Sequence, residues 1–402
     1  MSWEKVRLGE LCKMNSGGTP RRGNPKFYGG DIPWAKIGDI ESAKQGIIYG
    51  TEESITDEGL KSIGGRIFPK GSLLLAMYGS VGKVAFAGTE LSTNQAILGI
   101  RIHDTKILNY SYLKYWFETI KQQLLNRAVG VALQNISLGI VKDLQIPLPP
   151  LHIQKKIANI LDKADALRKK DQDLLQKYDE LAQSIFIDMF GDPVKNEKGW
   201  EVKKLGDMAQ SDKGSIRTGP FGSQLLLEEL QDEGIPVYGI DNVQNSGFIW
   251  AKPKFITPTK FIELKGFSIY ESDVLITRTG TVGRSCVAPK GIPQSIIGPN
   301  LLRVTLDQKV MLPEILSFLL NNFKSIKDKI KSLSPGATVA VFNSGNLKEL
   351  RLCVIPIMMQ KKFVDILKNL DMLKMFINEK NHSELLFHSL LQKAFTGELM
   401  HE

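Results

Sequence analysis

The opening MSWEKVRLGE (residues 1–10) returns almost halfway along the chain as GWEVKKLGDM (199–208), where Trp3, Leu8 and Gly9 are matched by Trp200, Leu205 and Gly206. A second beginning implies a second copy, and a repeat has to be settled before any secondary structure is assigned. Further matches stay collinear: GSVGKV (79–84) with GTVGRS (280–285), PLHIQKKIANILDKAD (150–165) with PIMMQKKFVDILKNLD (356–371), and SIFIDMF (184–190) with SLLQKAF (389–395). The chain of 402 residues is a unit of about 200 residues used twice, each copy closing on a helix-like tail.

Charge follows the same division. Residues 1–150 carry 18 basic against 13 acidic side chains and residues 200–357 carry 19 against 15, while 151–199 and 358–402 balance at 9 and 6 of each. The basic excess thus belongs to two blocks, and basic blocks suit a polyanionic partner. A hydrophobic fraction of 42% with 24% charged residues is that of a globular chain and excludes wholesale disorder. No apolar run approaches the roughly 20 residues that span a bilayer, and the first residues lack the apolar stretch of a signal peptide. The expected location is therefore the cytoplasm, with no membrane partner. Cys12, Cys286 and Cys353 stand apart, without the spacing of a disulfide framework or a zinc site.

The tails give the clearest periodicity. Steps of three and four run through Ile157, Ile160, Ala164, Leu167, Asp171, Leu174, Tyr178, Leu181 and Ile185, and again through Phe363, Ile366, Leu370, Leu373, Ile377, Lys380, Glu384, Phe387 and Leu391. Prolines ahead of each, in PLPPLHIQ and VIPIMMQ, fix where helix begins. About 37 helical residues reach roughly 55 Å. A narrow seam of that length predicts that the two tails pair as an antiparallel coiled coil, the two copies being related by a pseudo-twofold; packing of each helix on its own block is the alternative. Between the tails lie short β-like runs such as SLLLAMYG (72–79), AILGIRI (96–102), DVLITRTG (273–280) and LLRVTL (301–306), with helical stretches at 109–128 and 313–332. The fold class is α/β (α+β), present twice.

Catalytic patterns are missing. NPKFYGG (24–30) departs from the Asn-Pro-Pro-aromatic motif of amino-methyltransferases at Lys26, and no strand-turn for an adenosyl cofactor accompanies it. GSVGKV is too short for a phosphate loop and reads as a β-turn or a backbone approach to a phosphate. Asp192 and Glu201-Val202-Lys203 imitate a nuclease pattern that the first copy does not repeat, and the five histidines have no nucleophile motif beside them. No enzyme, cofactor or metal is expected.

What the blocks do contain is nucleic-acid chemistry. Guanidinium and ammonium groups suit phosphates and guanine edges, and amides suit adenine. The first block offers Arg21, Arg22, Lys26, Lys36 and Lys83 with Asn94, Gln95, Gln134 and Asn135; the second offers Arg217, Arg278 and Arg284 with Gln224, Asn242, Asn300 and Asn343. Taken singly, each of these also suits a solvated loop or local turn. In the balanced tails, Leu175, Phe186, Met189, Leu386 and Phe395 are left over as candidates for protein contacts.

The restarted WEKVRLGE/WEVKKLGD, the junction MFGDPVKNEKGW, the openings GGTPRRGNPKFYGGDIPWAKIGDI and RTGPFGSQLLLEEL, both tails and the ending LLQKAFTGEL together resemble the specificity subunits of type I restriction–modification systems, over essentially the whole chain. The resemblance implies target-recognition domains at 1–150 and 191–357 and spacer helices at 151–190 and 358–402. It also implies no catalysis by the chain itself, and as partners double-stranded DNA, two modification (methyltransferase) subunits and restriction (endonuclease/translocase) subunits. Each domain would read half of an asymmetric split site, with the helices setting the gap. The rival readings are a fused methyltransferase or nuclease with an unrecognised site, a coiled-coil scaffold that reads no DNA and, closer to hand, the specificity partner of a related split restriction system.

Overall fold

The computed structural model describes residues 3–128, 136–212, 214–251, 253–332, 343–379 and 382–400. The chain forms two compact units, one of residues 1–172 with 379–402 and the other of residues 173–378. The sequence drew its boundaries at the ends of the tails; the units divide inside them.

In the first unit a five-stranded sheet runs in the order Cys12–Ser16, Ile97–Ile102, Leu73–Ala76, Val84–Ala87, Ile47–Ile48. Leu73, Leu74, Leu75 and Ala76 are all fully buried, as a continuous apolar run demands of a central strand covered on both faces. Alternation sends Leu73 and Leu75 to one core with Tyr112, Leu113 and Trp116, and Leu74 and Ala76 to another with Ile40, Phe68 and Ala85. Tyr28–Ala35 holds a smaller sheet between Glu53–Ile55 and Ser92–Thr93, and Lys5–Arg7 pairs antiparallel with Gln145–Pro147.

The second unit repeats this plan. Its main sheet is ordered Ile216–Thr218, Leu301–Val304, Val274–Thr277, Ser285–Val287; its smaller one places Ile235–Tyr238 between Lys254–Ile256 and Ile296–Ile297; and Glu201–Lys204 pairs with Arg351–Val354. The counterpart of the fifth strand, Val243–Gln244, instead forms a hairpin with Gly247–Phe248. The helical stretches expected over 109–128 and 313–332 are each broken at the same place, into Tyr110–Thr119 and Lys121–Ala128 and into Pro313–Asn322 and Lys324–Ser332.

The tails form three helices, α1 (Leu151–Phe190), α2 (Ile357–Glu379) and α3 (His382–Thr396). Each tail starts at a buried glutamine. Gln154 donates to the carbonyls of Ile107 and Pro149, both at 2.8 Å, and accepts from the Asn109 amide at 2.9 Å. Gln360 donates to Val310 at 2.8 Å and Ile355 at 2.6 Å and accepts from Leu312 at 2.8 Å. Both are fully buried, so each amide satisfies backbone groups that water cannot reach.

Beyond that latch the tails change units. In the first unit, Ile157, Leu161 and Ala164 of α1 share a core with Phe387, Leu391 and Ala394 of α3. In the second, Ala182, Phe186 and Phe190 of α1 share a core with Phe363, Val364 and Leu370 of α2. There α1 and α2 run antiparallel: Lys374 meets Asp179 at 2.6 Å, and Phe363 meets Phe186 and Phe190 at ring separations of 5.2 and 5.7 Å. The expected seam holds at Ile157 and Ala164 of α1 and at Phe363, Leu370, Phe387 and Leu391, and it is rotated by about one residue, near 100° of helix, along α1 beyond Ala164. Leu167, Leu174 and Leu181, placed on the seam by the sequence, are 46%, 38% and 45% exposed, because the face carrying Leu161, Ala182 and Phe186 is the one that meets the aromatic cores. Lys380, which the expected heptad included, lies outside the described residues.

Candidate nucleic-acid interface

At one end of each main sheet the same loops are drawn together. In the first unit the Gly17 amide donates to Ile97 at 3.1 Å and Gly18 to Thr93 at 2.8 Å, while Met77 donates to Ala96 at 2.8 Å and Ile136 to Met77 at 3.1 Å. A Cβ on Gly17 would lie 2.1 Å from the Thr93 carbonyl oxygen, so no larger residue fits. The second unit repeats the pin: Gly219 donates to Leu301 at 2.9 Å, and its Cβ would meet the Gly298 oxygen at 2.0 Å. Arg278 donates its amide to Asn300 at 3.0 Å and Nη1 to Pro299 at 3.3 Å, and Ser344 donates to the Thr218 hydroxyl at 3.2 Å.

Loops 17–27, 77–83 and 94–96 thus meet in one unit, and 219–224, 278–284, 298–300 and 343–344 in the other. Asn94, Gln95, Gln224, Arg278, Asn300 and Asn343 are brought to these ends. Arg278 is partly buried, which lowers its affinity for its proton. Gln134 and Asn135 lie outside the described residues.

Several of these groups are already in use. The Asn94 carboxamide oxygen accepts from Ala96 at 3.1 Å, Gln224 from Phe221 at 3.3 Å, and Asn343 caps the helix Ser344–Lys348 through the Asn346 amide at 2.9 Å. Gln95 accepts from the Thr19 hydroxyl. Asn242, expected to face a base, is instead a buried strut: its oxygen accepts from Gly239 at 2.9 Å and its nitrogen donates to Ile249 at 3.0 Å and Ala251 at 3.3 Å. Its counterpart in the first unit, Asp39, accepts from the Lys36 amide at 2.7 Å in the same way. The residues after the GxVG turns are latches too. Lys83 Nζ approaches the Glu41 carbonyl at 3.4 Å, and Arg284 donates to Gln244 at 3.0 Å and Ile240 at 2.9 Å. Those turns are closed by left-handed glycines, Gly79 and Gly82 at φ 64° and 82° and Gly280 and Gly283 at 67° and 86°, so the β-turn reading holds.

The basic loop of the first unit is sorted into paired and unpaired cations. Arg21 and Lys26 are exposed, and no side chain among the described residues pairs with either. Arg22 donates to Glu53 at 2.6 Å, and Lys36 to Glu53 at 2.6 Å and Glu52 at 3.0 Å. Hydrogen bonds from Arg22 and then Lys36 hold the Glu53 carboxyl below its ordinary value. In the second unit the Arg217 guanidinium lies over the Phe267 ring at 4.5 Å.

Sequence reasoning passed over Glu53 and the exposed aromatics. Phe221 is 63% exposed between Gly219 and Gly222 at the sheet end, and Trp250 caps an edge-on stack with Phe248 and Tyr238 at 5.0 and 6.3 Å. The GPFG spacing is the one signal that could have marked Phe221. Of the five residues offered for protein contacts, Phe186 belongs to the core, where its ring meets Phe190, Phe318, Phe323 and Phe363 at 4.8–5.5 Å. Leu175 and Met189 are half-buried, Phe395 packs on Tyr112 at 4.9 Å, and Leu386 is exposed. No described cluster of His, Cys, Asp or Glu could hold a metal ion, and no described helix is long and apolar enough to cross a membrane.

A family model described as the type I restriction modification DNA specificity domain matches the chain twice, over residues 1–177 and 197–387. The chain belongs to this family. Among its relatives, the MjaIX type I restriction enzyme specificity subunit of Methanocaldococcus jannaschii is 32% identical over 230 residues, which is 53% of either chain. The HindI specificity subunit of Haemophilus influenzae is 28% identical over 166 residues, 40% of this chain and 36% of that one. The chain therefore spans about half or less of these two relatives. Against a putative MjaX specificity subunit it aligns at 25% identity over 99% of its own length and 93% of the relative's. The fold is shared with the S subunit of a type I restriction–modification system from M. genitalium, at 18% identity with a TM-score of 0.50, covering 98% of this chain and 96% of that one. It is shared too with a chain from a structure concerned with complex assembly and conformational transition of the type I system, at 19% identity with a TM-score of 0.52, covering 99% and 98%.

Proposed function

We propose that this chain is the DNA-reading, non-catalytic subunit of a type I restriction–modification complex, each specificity domain reading one half of a split, asymmetric site. The observation that carries the reading is the loop cluster built twice on the same glycine-pinned sheet end, with different side chains in each copy. Direct contacts from these loops to base edges would supply specificity, and Arg21, Lys26 and neighbouring cations would hold phosphates and set position. Because α1 is one continuous helix contributing to both units, it would set the number of unread base pairs. Leu167, Leu174 and Leu181, seven residues apart on α1, and Leu386 would receive the modification subunits, and restriction subunits would join that assembly. A soluble, cytoplasmic life fits this role.

The test is selection from a random duplex pool by the chain with its modification subunits, followed by exchange of residues 1–150 for the block of another family member. The proposal expects two short unlike motifs and, after the exchange, replacement of one of them alone. Enrichment of no motif would leave only a scaffold.

A further inference from the structure

Resting on that DNA-reading proposal, we infer that Arg22 reads a guanine edge, not a phosphate, and that Glu53 is the positioning residue that fixes it for the task. Arg22 turns both terminal nitrogens toward the Glu53 carboxylate, Nη1 at 2.6 Å from Oε2 and Nη2 at 3.4 Å from Oε1. Its guanidinium carbon stands 5.0 Å from each of the Tyr28 and Trp34 ring centres. Those rings are themselves tied to the same loop, Tyr28 through its hydroxyl to the Pro20 carbonyl at 2.6 Å and Trp34 through Nε1 to the Gly18 carbonyl at 3.0 Å. The two ring centres lie 5.9 Å from each other, so both rings stand to one side of the planar group, which is held there and along one edge, and part of the rotamer freedom an exposed arginine would lose on binding is already lost.

What remains is the edge formed by Nε–H and the second Nη2–H, which meets no partner among the described residues while the side chain stays 56% exposed. Two parallel donors match the O6 and N7 acceptors that guanine shows in the major groove. A phosphate could accept the same pair, but the local charge argues against it. Arg22 and Lys36 are balanced by Glu52 and Glu53, leaving these four groups without net charge and placing a carboxylate beside Arg22, where it repels a phosphate. Arg21, next in sequence and without such a partner, is the better phosphate contact. In the second unit Val237 takes the strand position of Trp34, so the device belongs to one half-site only.

The experiment compares the full chain, with its modification subunits, against Arg22→Lys, Glu53→Gln and Arg21→Ala, measuring base preference at every site position and the dependence of binding on salt. Arg22→Lys keeps the charge and removes the second donor. It and Glu53→Gln are expected to lower discrimination for G at one base pair of one half-site by about tenfold or more, with the salt slope unchanged for the charge-conserving Arg22→Lys. Arg21→Ala is expected to weaken binding on all sequences and reduce the slope by about 0.9. The inference is overturned if Arg22→Lys leaves every base preference intact, or if Arg22 and Glu53 variants change affinity uniformly. If the unaltered chain enriches no motif, the underlying DNA-reading proposal fails as well, which separates the two failures.

Discussion

Gln154 in the first unit and Gln360 in the second make the same three hydrogen bonds, whereas Trp34, whose Nε1 donates to the Gly18 carbonyl at 3.0 Å, is matched at the same strand position by Val237, whose side chain has no hydrogen to donate. The same contrast runs through the rest. Beneath the central strands, Gly99 of the first unit lies against the Phe68 ring, and a Cβ there would come within 2.1 Å of it. The matching position in the second unit is Arg303, which bonds Ser268 and Gly214 beside the buried Asp273. Burial pushes the Asp273 carboxyl up. A large ring over a glycine has been exchanged for a guanidinium whose carbon stands 5.6 Å from the Tyr270 ring centre. The latches that join tail to block are thus repeated group for group, while interiors and loops are free to differ. That freedom is what two unlike half-sites require.

The first way to break the comparison is at the aromatic core. Phe186→Ala in the isolated chain should cost about 3–5 kcal/mol, read as a lower Tm. A partner-contact role would leave the melting of the isolated chain unchanged and weaken only assembly. Next come the latches. Gln154→Leu and Gln360→Leu should each cost about 2–4 kcal/mol, because each strands a buried amide and two carbonyls. Unequal losses would mean that the two latches are alike only in geometry.

The ion-pair networks should instead sharpen the difference. Asp165 is buried, which opposes its ionisation, yet Lys169, Lys114 and Arg168 hold its carboxyl below the ordinary value. A depressed carboxyl contributes stability above its unfolded value near pH 4, and that contribution is lost as pH falls through the folded one. Asp165→Asn should therefore lower stability by about 1–2 kcal/mol at pH 7, and the gap from the unaltered chain should close on acidification. A gap that persists at pH 2–3 would assign the loss to packing. The counterpart in the second unit is more open: Lys374, matching Arg168, meets Asp371 at 3.4 Å and Asp179 at 2.6 Å, but Asp371 is exposed.

Much of this plan was legible in the chain. The repeat gave two blocks, the prolines gave the helix starts, and the apolar runs gave the central strands, because each rests on local chemistry. The seam of α1 was right at Ile157 and Ala164 and misplaced beyond them, because Leu167, Leu174 and Leu181 keep a perfect seven-residue spacing while burial is decided by which face meets the aromatic cores. The candidate site was legible as loops and residue types only. Asn94, Asn242 and Asn343 carry the amide that suits adenine, but the same amide closes turns and caps helices, and only geometry separates these uses. Glu53 was invisible because its importance lies in a partner 31 residues away.

The account stands most directly on the gap between half-sites being set by helix length. Removing seven residues from α1 together with seven from α2, and sequencing the duplexes then selected, should give the original two half-site motifs at a shorter spacing. Unchanged spacing, or altered motifs at the old spacing, would contradict it.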